Sequence, residues 1–217
     1  AAPDFLVAVF GGALFDVLRT SAPHASLTFR PLQMDRLDAQ LDEGEVDLAM
    51  GPKLRLGPTV RRQRVHTATW SVGCRSNHPL FDVAFNAECY ASFPHVLVSP
   101  TGMGRSRVDE VLEEQGLQRK VVVRVASFLA APHLLSTTDA LLTAPSSVLQ
   151  LLAAQAGLEV QPLPFHLPPL DVFSLWHERD HDDDAHQWLR SMVRNAFADG
   201  RYSASAASDA AQLVPSF

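Results

Sequence analysis

Residues 41–51 read LDEGEVDLAMG, and this stretch predicts the passage from a helix into a buried strand. The preceding residues, Met34 to Glu43, carry apolar side chains at helical spacing. Gly44 follows, and glycine commonly ends helices because it adopts the left-handed backbone conformation without steric cost. The apolar run Val46–Met50 then predicts a strand. A helix that leads directly into a buried strand indicates an α/β fold.

The same alternation of apolar runs and helical stretches continues on both sides of this segment. Toward the N terminus, Phe5–Phe10 predicts a strand, residues 11–12 a glycine turn, residues 13–20 a helix and Ser26–Pro31 a second strand. Together with Val46–Met50, these elements predict a βαβαβ unit with a parallel sheet. Toward the C terminus, strands are predicted at 94–98, 121–125, 140–143, 158–163 and 172–177, and helices at 105–115, 128–136, 145–155 and 184–197.

The predicted elements form two α/β blocks that are joined by two extended segments. One segment crosses near residues 69–76, and a proline-rich segment near 160–170 returns. This order predicts a two-lobe α/β fold whose hinge consists of two crossover strands, with a ligand cleft between the lobes at the carboxyl ends of parallel strands. The predicted parts are lobe I (1–74 and 165–200), lobe II (75–164) and an Ala/Ser-rich C-terminal tail (201–217).

Composition argues against a DNA-binding surface on these residues. The 18 Lys and Arg residues against 24 Asp and Glu residues give a net charge of −6, whereas a DNA-binding domain normally has a basic face. Cys74 and Cys89 are too few for a disulfide framework and lack metal-ligand spacing, which predicts reduced thiols in a cytoplasmic protein. No apolar run is long enough to predict a membrane-spanning helix, and no signal-peptide pattern is present.

Candidate ligand-binding residues lie where predicted strands end and helices begin, because backbone N–H groups at helix starts attract carboxylates. Hydroxyl groups and glycines at these points would let a ligand approach the backbone. The candidates at these points are Phe10, Gly11, Gly12, Ser99, Thr101, Gly102, Ser127 and Phe128. Phe173, in the strand predicted at 172–177, is a further candidate because its ring, like those of Phe10 and Phe128, could stack on a ligand ring. A purely structural interpretation stays open for each kind: a tight turn for the glycine pair, a helix cap for Ser127 and core packing for the aromatic rings.

The segment HERDH at residues 177–181 matches the H-E-x-x-H pattern of zinc hydrolases. Zinc binding requires both histidines on one helical face. Here the pattern begins at the end of an apolar strand and continues into three aspartates. We therefore expect a polar loop before the last helix, with Asp184 as its cap, and we predict no metal site, no cofactor and no catalytic residue.

Four segments, in this order, resemble LysR-type transcriptional regulators, in the branch of nodulation regulators and regulators of aromatic-compound degradation. They are Leu41–Gly51, Arg75–Leu80, Ser127–Pro145 and Leu167–Arg190. The resemblance covers about residues 4–197. It implies a type II periplasmic-binding-protein fold that binds a small effector, such as an aromatic compound or a carboxylate, between its lobes.

The resemblance also implies homodimers or higher homo-oligomers through lobe–lobe contacts. DNA binding would belong to an N-terminal winged helix-turn-helix domain that is absent from these residues. We therefore interpret the chain as the effector-binding regulatory domain of a cytoplasmic regulator, neither an enzyme nor a membrane protein. Two alternatives stay open: a free-standing periplasmic solute-binding protein, and a zinc hydrolase that uses His177, Glu178 and His181.

Overall fold

A computed structural model describes residues 1–52, 55–99 and 105–198 of the chain. The predicted tail at 201–217 lies outside the described residues. Contacts divide the described residues into two compact units: the first comprises Ala1–Ala68 and residues 170–198, and the second comprises Thr69–Pro169. In the described ranges, no helix is both long enough and apolar enough to cross a membrane.

The described residues form eight strands and seven α-helices. The strands are β1 (Ala49–Gly51), β2 (Val60–Ala68), β3 (Trp70–Arg75), β4 (Pro94–Val98), β5 (Lys120–Val125), β6 (Leu141–Pro145), β7 (Leu158–Pro162) and β8 (Leu170–His177). The helices are α1 (Asp4–Ser21), α2 (Leu37–Asp42), α3 (Ala87–Ser92), α4 (Arg107–Glu114), α5 (Ala131–Ser136), α6 (Ser146–Ala156) and α7 (Asp184–Ala198). Short 3-10 helices lie at Pro79–Asp82, Phe128–Ala130 and Glu178–Asp180.

The first unit contains a three-stranded antiparallel sheet in which β8 lies between β1 and β2. Leu175 of β8 is fully buried in one core cluster, together with Leu37, Leu41, Val46 and Ala49. A second group of apolar contacts joins α1 to α7, where the ring centroids of Phe10 and Phe197 lie 3.9 Å apart. The rings of Phe10 and Phe197 also contact His66 of β2, so these two helices pack against the sheet of this unit.

The second unit contains a five-stranded mixed sheet in the order β5-β4-β6-β3-β7. β4 runs parallel to β5 and β6, whereas β3 runs antiparallel to β6 and β7. One buried core cluster of this unit contains Val72, Cys74, Leu80, Tyr90, Val108, Val111, Leu112, Leu141 and Leu167. Because β4, β5 and β6 are parallel, their carboxyl ends lie at one edge of the sheet.

The strand predicted at Phe5–Phe10 and the turn predicted at residues 11–12 are wrong, because α1 runs through both as one helix. Its buried residues follow helical spacing: Leu6, Val9, Phe10, Ala13, Leu14 and Leu18. The sequence concealed this spacing because exposed positions such as Ala8 and Phe15 are also apolar. A short, continuous apolar run fits a buried strand as well as a helix.

The strand predicted at Ser26–Pro31 is also wrong. Its ladder contact in the described part of the chain is a single parallel bridge between Ala2 and Pro31. The predicted parallel βαβαβ unit is therefore wrong for the first unit, whose described strands are all antiparallel to their neighbours. The alternating burial of 26–31, with Leu27 and Phe29 half-buried between exposed residues, is nevertheless that of a strand.

Predictions for the second unit agree closely with its structure. β4 has the predicted bounds, and β5, β6 and β7 each differ from prediction by two residues or fewer at either end. The predicted helix at 128–136 is a 3-10 turn followed by α5. Gly116 and Gly157, which follow α4 and α6, have φ angles of 71° and 64°, where glycine is favoured.

Candidate functional site

Two of the predicted serines lie together at the carboxyl edge of the sheet in the second unit. Ser99 follows β4, and its backbone N–H donates a 2.8 Å hydrogen bond to the carbonyl oxygen of Val125, the last residue of β5. Ser127 lies two residues beyond Val125. Ser99 is buried and Ser127 is half-buried. The parallel pairing of β4 and β5 thus brings both hydroxyl-bearing residues to one edge.

Ser127 caps the 3-10 helix that begins at Phe128. Its Oγ accepts a 3.2 Å hydrogen bond from the backbone N–H of Leu129, so the cap predicted as the structural interpretation of this residue is present. A serine hydroxyl that accepts one bond can still donate its proton to another group. Phe128 is half-buried and Leu129 is 65% exposed, so apolar surface accompanies the hydroxyl at this edge.

Two other predicted residues of this edge, Thr101 and Gly102, lie outside the described residues. They belong to the segment that leads from Ser99 to α4. The structure describes the chain again from Arg105 onward, which includes the start of α4.

A buried arginine anchors the start of α4. Arg119 donates hydrogen bonds from Nε to Asp109 Oδ1 (2.6 Å), from Nη2 to Ser106 Oγ (2.7 Å) and from Nη1 to Tyr90 Oη (3.2 Å). The Arg119 side chain is only 2% exposed. Burial alone would raise the pKa of Asp109, but the bonds from Arg119 and Ser106 hold that pKa below its usual value. This charged network fixes the point where the segment from Ser99 enters the helix.

This anchor was not predicted from the sequence, although the sequence contains one of its signals. Ser106 and Asp109 form a capping box, in which the backbone N–H of Ser106 donates a 2.8 Å bond to Asp109 Oδ2. The pattern Ser-x-x-Asp before an apolar helix face is a recognised start signal. Arg119 itself carries no such signal, because a lone arginine before a strand is usually exposed.

Tyr90 and His95 are buried beside this network. Tyr90 Oη lies 2.7 Å from Thr143 Oγ1, and the Nε2 atom of His95 lies 3.0 Å from the carbonyl oxygen of Tyr90. Burial, reinforced by the charge of Arg119, lowers the pKa of His95 to about 3. The ring is therefore neutral at neutral pH, and Nε2 carries the proton that it donates to the carbonyl.

The candidates in α1 do not stand at a strand end. Phe10 is buried, and its ring contacts Phe197 and, at a centroid distance of 5.5 Å, His66. Gly11 is half-buried inside the helix, and Gly12 is exposed on its surface. Phe10, Gly11 and Gly12 therefore lie inside a helix and not at its start, because α1 begins at Asp4. The Phe10 ring packs in the core, as the structural interpretation of this residue predicted.

Phe173 lies in β8, opposite Gly51 of β1 and Arg64 of β2. Its ring is half-buried and packs beside the core cluster around Leu175. The guanidinium carbon of Arg62 lies 6.0 Å from the ring centroid, at the outer limit of a cation–π contact. Phe173 and Phe10 therefore belong to different apolar clusters of the first unit.

The H-E-x-x-H segment forms the predicted polar connection. β8 ends at His177, a 3-10 turn follows, and α7 begins at Asp184. The Nδ1 atom of His177 accepts a bond from the backbone N–H of Arg179, and the ring of His181 stacks on Trp176. Within the described ranges, no group of three His, Cys, Asp or Glu side chains is placed to hold a metal ion.

The cap of α7 differs from the prediction by one residue. Asp183 Oδ1 accepts a 2.8 Å bond from the backbone N–H of His186, which makes Asp183 the capping residue in place of Asp184. Arg190 then binds the carbonyl oxygens of Asp180 and His181. The segment is thus held by helix capping and arginine contacts.

Comparisons with known proteins place this geometry among transcriptional regulators. A family model described as the LysR substrate binding domain matches residues 1–198. The HTH-type transcriptional activator NahR of Pseudomonas putida is 33% identical over 189 residues, which cover 86% of this chain and 62% of NahR. The HTH-type transcriptional regulator SyrM of Rhizobium meliloti is 32% identical over 203 residues, which cover 90% of this chain and 60% of SyrM.

A solved structure extends this comparison to the fold. The regulatory domain of MexT, a transcriptional activator in Pseudomonas aeruginosa, superposes with a TM-score of 0.81 at 28% identity, covering 89% of this chain and 96% of that domain. The chain spans about three fifths of the length of the curated relatives that it matches.

Proposed function

We propose how an effector is recognised by this chain, which belongs to the LysR substrate binding domain family. Members of this family are effector-binding domains of transcriptional regulators and have the type II periplasmic-binding-protein-like fold. The family and branch predicted from the sequence are confirmed, as is the prediction of a regulatory domain and not an enzyme. Neither the solute-binding protein nor the zinc hydrolase has support from the relatives.

The effector binds at the carboxyl edge of β4 and β5, where Ser99, Ser127 and Phe128 contact it. The observation that supports this proposal is the 2.8 Å bond between Ser99 and Val125, because it holds the two strand ends at one edge. Thr101 and Gly102 belong to the same proposed site. Phe173 is a further candidate in the first unit.

The chemistry of this edge favours a small molecule with a hydrogen-bonding end and an apolar body. Serine hydroxyls and backbone N–H groups donate to a carboxylate. The half-buried ring of Phe128 offers a face for apolar or aromatic groups. A small aromatic or aliphatic carboxylate satisfies both requirements.

The test is ligand-induced thermal stabilisation with benzoate and succinate as first probes. Specific binding to the folded state raises stability by about 2.7 kcal/mol at a ligand concentration of 100 times Kd. In the variant Ser127→Asn the longer side chain still caps the helix but fills the space beside Phe128. We expect its unliganded midpoint to stay within a few degrees and its ligand response to disappear.

The matched control is Ser136→Asn, which makes the same exchange at the exposed end of α5. This control should respond to ligand as the unchanged chain does. A full ligand response in Ser127→Asn would contradict the proposed site, whatever the identity of the effector.

The parent protein binds DNA through a helix-turn-helix domain outside these residues, acts in the cytoplasm and assembles as a homodimer or a higher homo-oligomer. The names of the helix-turn-helix relatives support the first point, since this chain covers only about three fifths of their length. Phe15 on α1, which is 59% exposed, supports self-association, since aromatic side chains are enriched at protein interfaces.

A further inference from the structure

A cavity of about 610 Å³ lies in the second unit and is lined by residues of α4 and of the edge strand β5. Asp109 and Glu113 line it from one face of α4, since residues four apart are neighbours on a helix. Leu117 lines it from the connection that follows the helix, and Val121 and Arg124 line it from β5. The cavity therefore combines charged groups with some apolar surface.

A bulge in β5 brings Arg124 to the cavity. Val121 and Val123 pair with successive residues of β4, so Val122 between them has no partner in β4. In a regular strand, residues 121 and 124 face opposite sides, because side chains alternate along the strand. The extra residue shifts this alternation, and Val121 and Arg124 consequently line the same cavity.

Both carboxylates of the cavity are already paired with arginines. One oxygen of Asp109 accepts a 2.6 Å bond from Nε of Arg119, and the other accepts a 2.8 Å bond from the backbone N–H of Ser106. Glu113 Oε2 accepts a 2.8 Å bond from Nη2 of Arg105. Since each carboxylate is balanced by one guanidinium group, neither leaves an unpaired negative charge to repel an anion.

The third arginine of the cavity has no such partner. In the part of the chain that the structure describes, the exposed side chain of Arg124 makes no hydrogen bond and no ion pair. Gln118 and Arg119 also line the cavity, and within the described ranges their backbone N–H groups donate no hydrogen bond. In a chain whose net charge is −6, this cavity thus offers an unbalanced positive charge and two unused donors.

We propose that this cavity is a second ligand site, which binds the oxyanion group of a small molecule, either a phosphate or a carboxylate. Arg124 pairs with the negative charge, because a guanidinium group donates two parallel bonds to either kind of oxyanion. The backbone N–H groups of Gln118 and Arg119 supply further donors. None of the described residues of the proposed effector site lines this cavity, so the two proposals are independent.

The size and the lining of the cavity indicate that the oxyanion belongs to an organic molecule. Its volume lies within the range of roughly 300–1,000 Å³ that is usual for small-molecule pockets, which exceeds the size of an inorganic anion. Leu117 and Val121 are half-buried, and they provide apolar contacts for the rest of the molecule.

The experiment titrates the isotope-labelled chain with inorganic phosphate and, separately, with acetate, while sodium chloride keeps the ionic strength constant. The NMR signals of the Gln118 and Arg119 amides report binding. We expect saturable shifts with at least one of the two anions, which identifies the oxyanion group. In Arg124→Gln the dissociation constant should rise about tenfold, as expected for the loss of one charged hydrogen bond.

The matched control is Arg36→Gln, which removes an exposed arginine of the first unit and should bind the anion as the unchanged chain does. Equal dissociation constants for Arg124→Gln and the unchanged chain would overturn the proposal, as would the lack of saturation with both anions. Ser127→Asn separates this site from the proposed effector site and should retain the shifts of Gln118 and Arg119. Loss of these shifts in Ser127→Asn would assign the anion to the effector site and would also overturn the proposal.

Discussion

The buried imidazole of His95 couples the stability of the second unit to pH. Burial, with the charge of Arg119, lowers its pKa to about 3, and the value returns to about 6.5 when the chain unfolds. Between these values the unfolded chain binds a proton that the folded chain does not. The stabilising contribution is therefore complete above pH 6.5 and is lost as the pH falls toward 3. We expect the free energy of unfolding to fall by about 2 kcal/mol between pH 6.5 and pH 5.

Urea denaturation at the two pH values measures this fall. In His95→Gln the side-chain amide can still donate to the carbonyl oxygen of Tyr90 but does not titrate. The variant should be less stable at pH 6.5 and lose less stability on acidification. His133→Gln removes an exposed imidazole from the same unit and should retain the original fall. The hypothesis fails if His95→Gln loses as much stability as the unchanged chain.

The start of α4 depends on the ion pair between Arg119 and Asp109. The Arg119 side chain of this pair is almost fully buried. Removing one partner of a buried pair leaves the other without compensation and costs roughly 3–5 kcal/mol. Arg119→Met should therefore lower the free energy of unfolding by about that amount. The substitution should also reduce the rise in stability that ligand binding produces. The reason is that Arg119 holds Ser106, which ends the segment that starts at Ser99, a residue of the proposed effector site.

Chemical denaturation with and without ligand measures both effects of this substitution. Arg107→Met is the control, because it removes from α4 an ion pair with Glu110 that is exposed to water. That control should leave the denaturation midpoint and the ligand response unchanged. Equal effects of the two substitutions would show that burial of the Arg119 pair has no special role.

The sequence predicts the elements of the second unit better than those of the first, and the reason is physical. β4 has an apolar run bounded by prolines at 94 and 100, so its length and its limits are both encoded locally. α1 begins with an apolar run followed by two glycines, which imitates a strand and a turn. Its helical conformation depends on packing against α7, and that contact is encoded by residues about 180 positions away.

The candidate site also contains features that the local sequence predicts and features that it does not. Ser99 and Ser127 could be placed at one edge because both follow short strands that were correctly located, and parallel strands end together. The role of Arg119 could not be predicted, because nothing in a single sequence distinguishes a buried arginine from an exposed one. Phe10 was assigned to a strand end for the same reason that the whole of α1 was predicted wrongly. The residues that surround its ring, His66 and Phe197, are distant in the sequence and meet it only in the folded chain.

We propose that any self-association of the whole protein uses the exposed side of α1. Ala8, Gly12, Phe15 and Arg19 are all exposed and lie on one stripe of the helix, at intervals of three or four residues. Two small residues beside a 59% exposed phenylalanine form a surface that another subunit can approach closely. Aromatic side chains are enriched at protein interfaces relative to the rest of the surface.

A charge at position 15 should therefore weaken the oligomer without unfolding the subunit. In Phe15→Glu the ring that would be buried between subunits is replaced by a carboxylate that must lose its water to be buried there. We expect the dissociation constant of the oligomer to rise at least tenfold, measured by sedimentation at several protein concentrations. Met34→Glu makes a similar exchange at another exposed apolar residue of the first unit, 53% exposed and outside α1. If both substitutions weaken the oligomer equally, net charge and not the surface of α1 controls assembly.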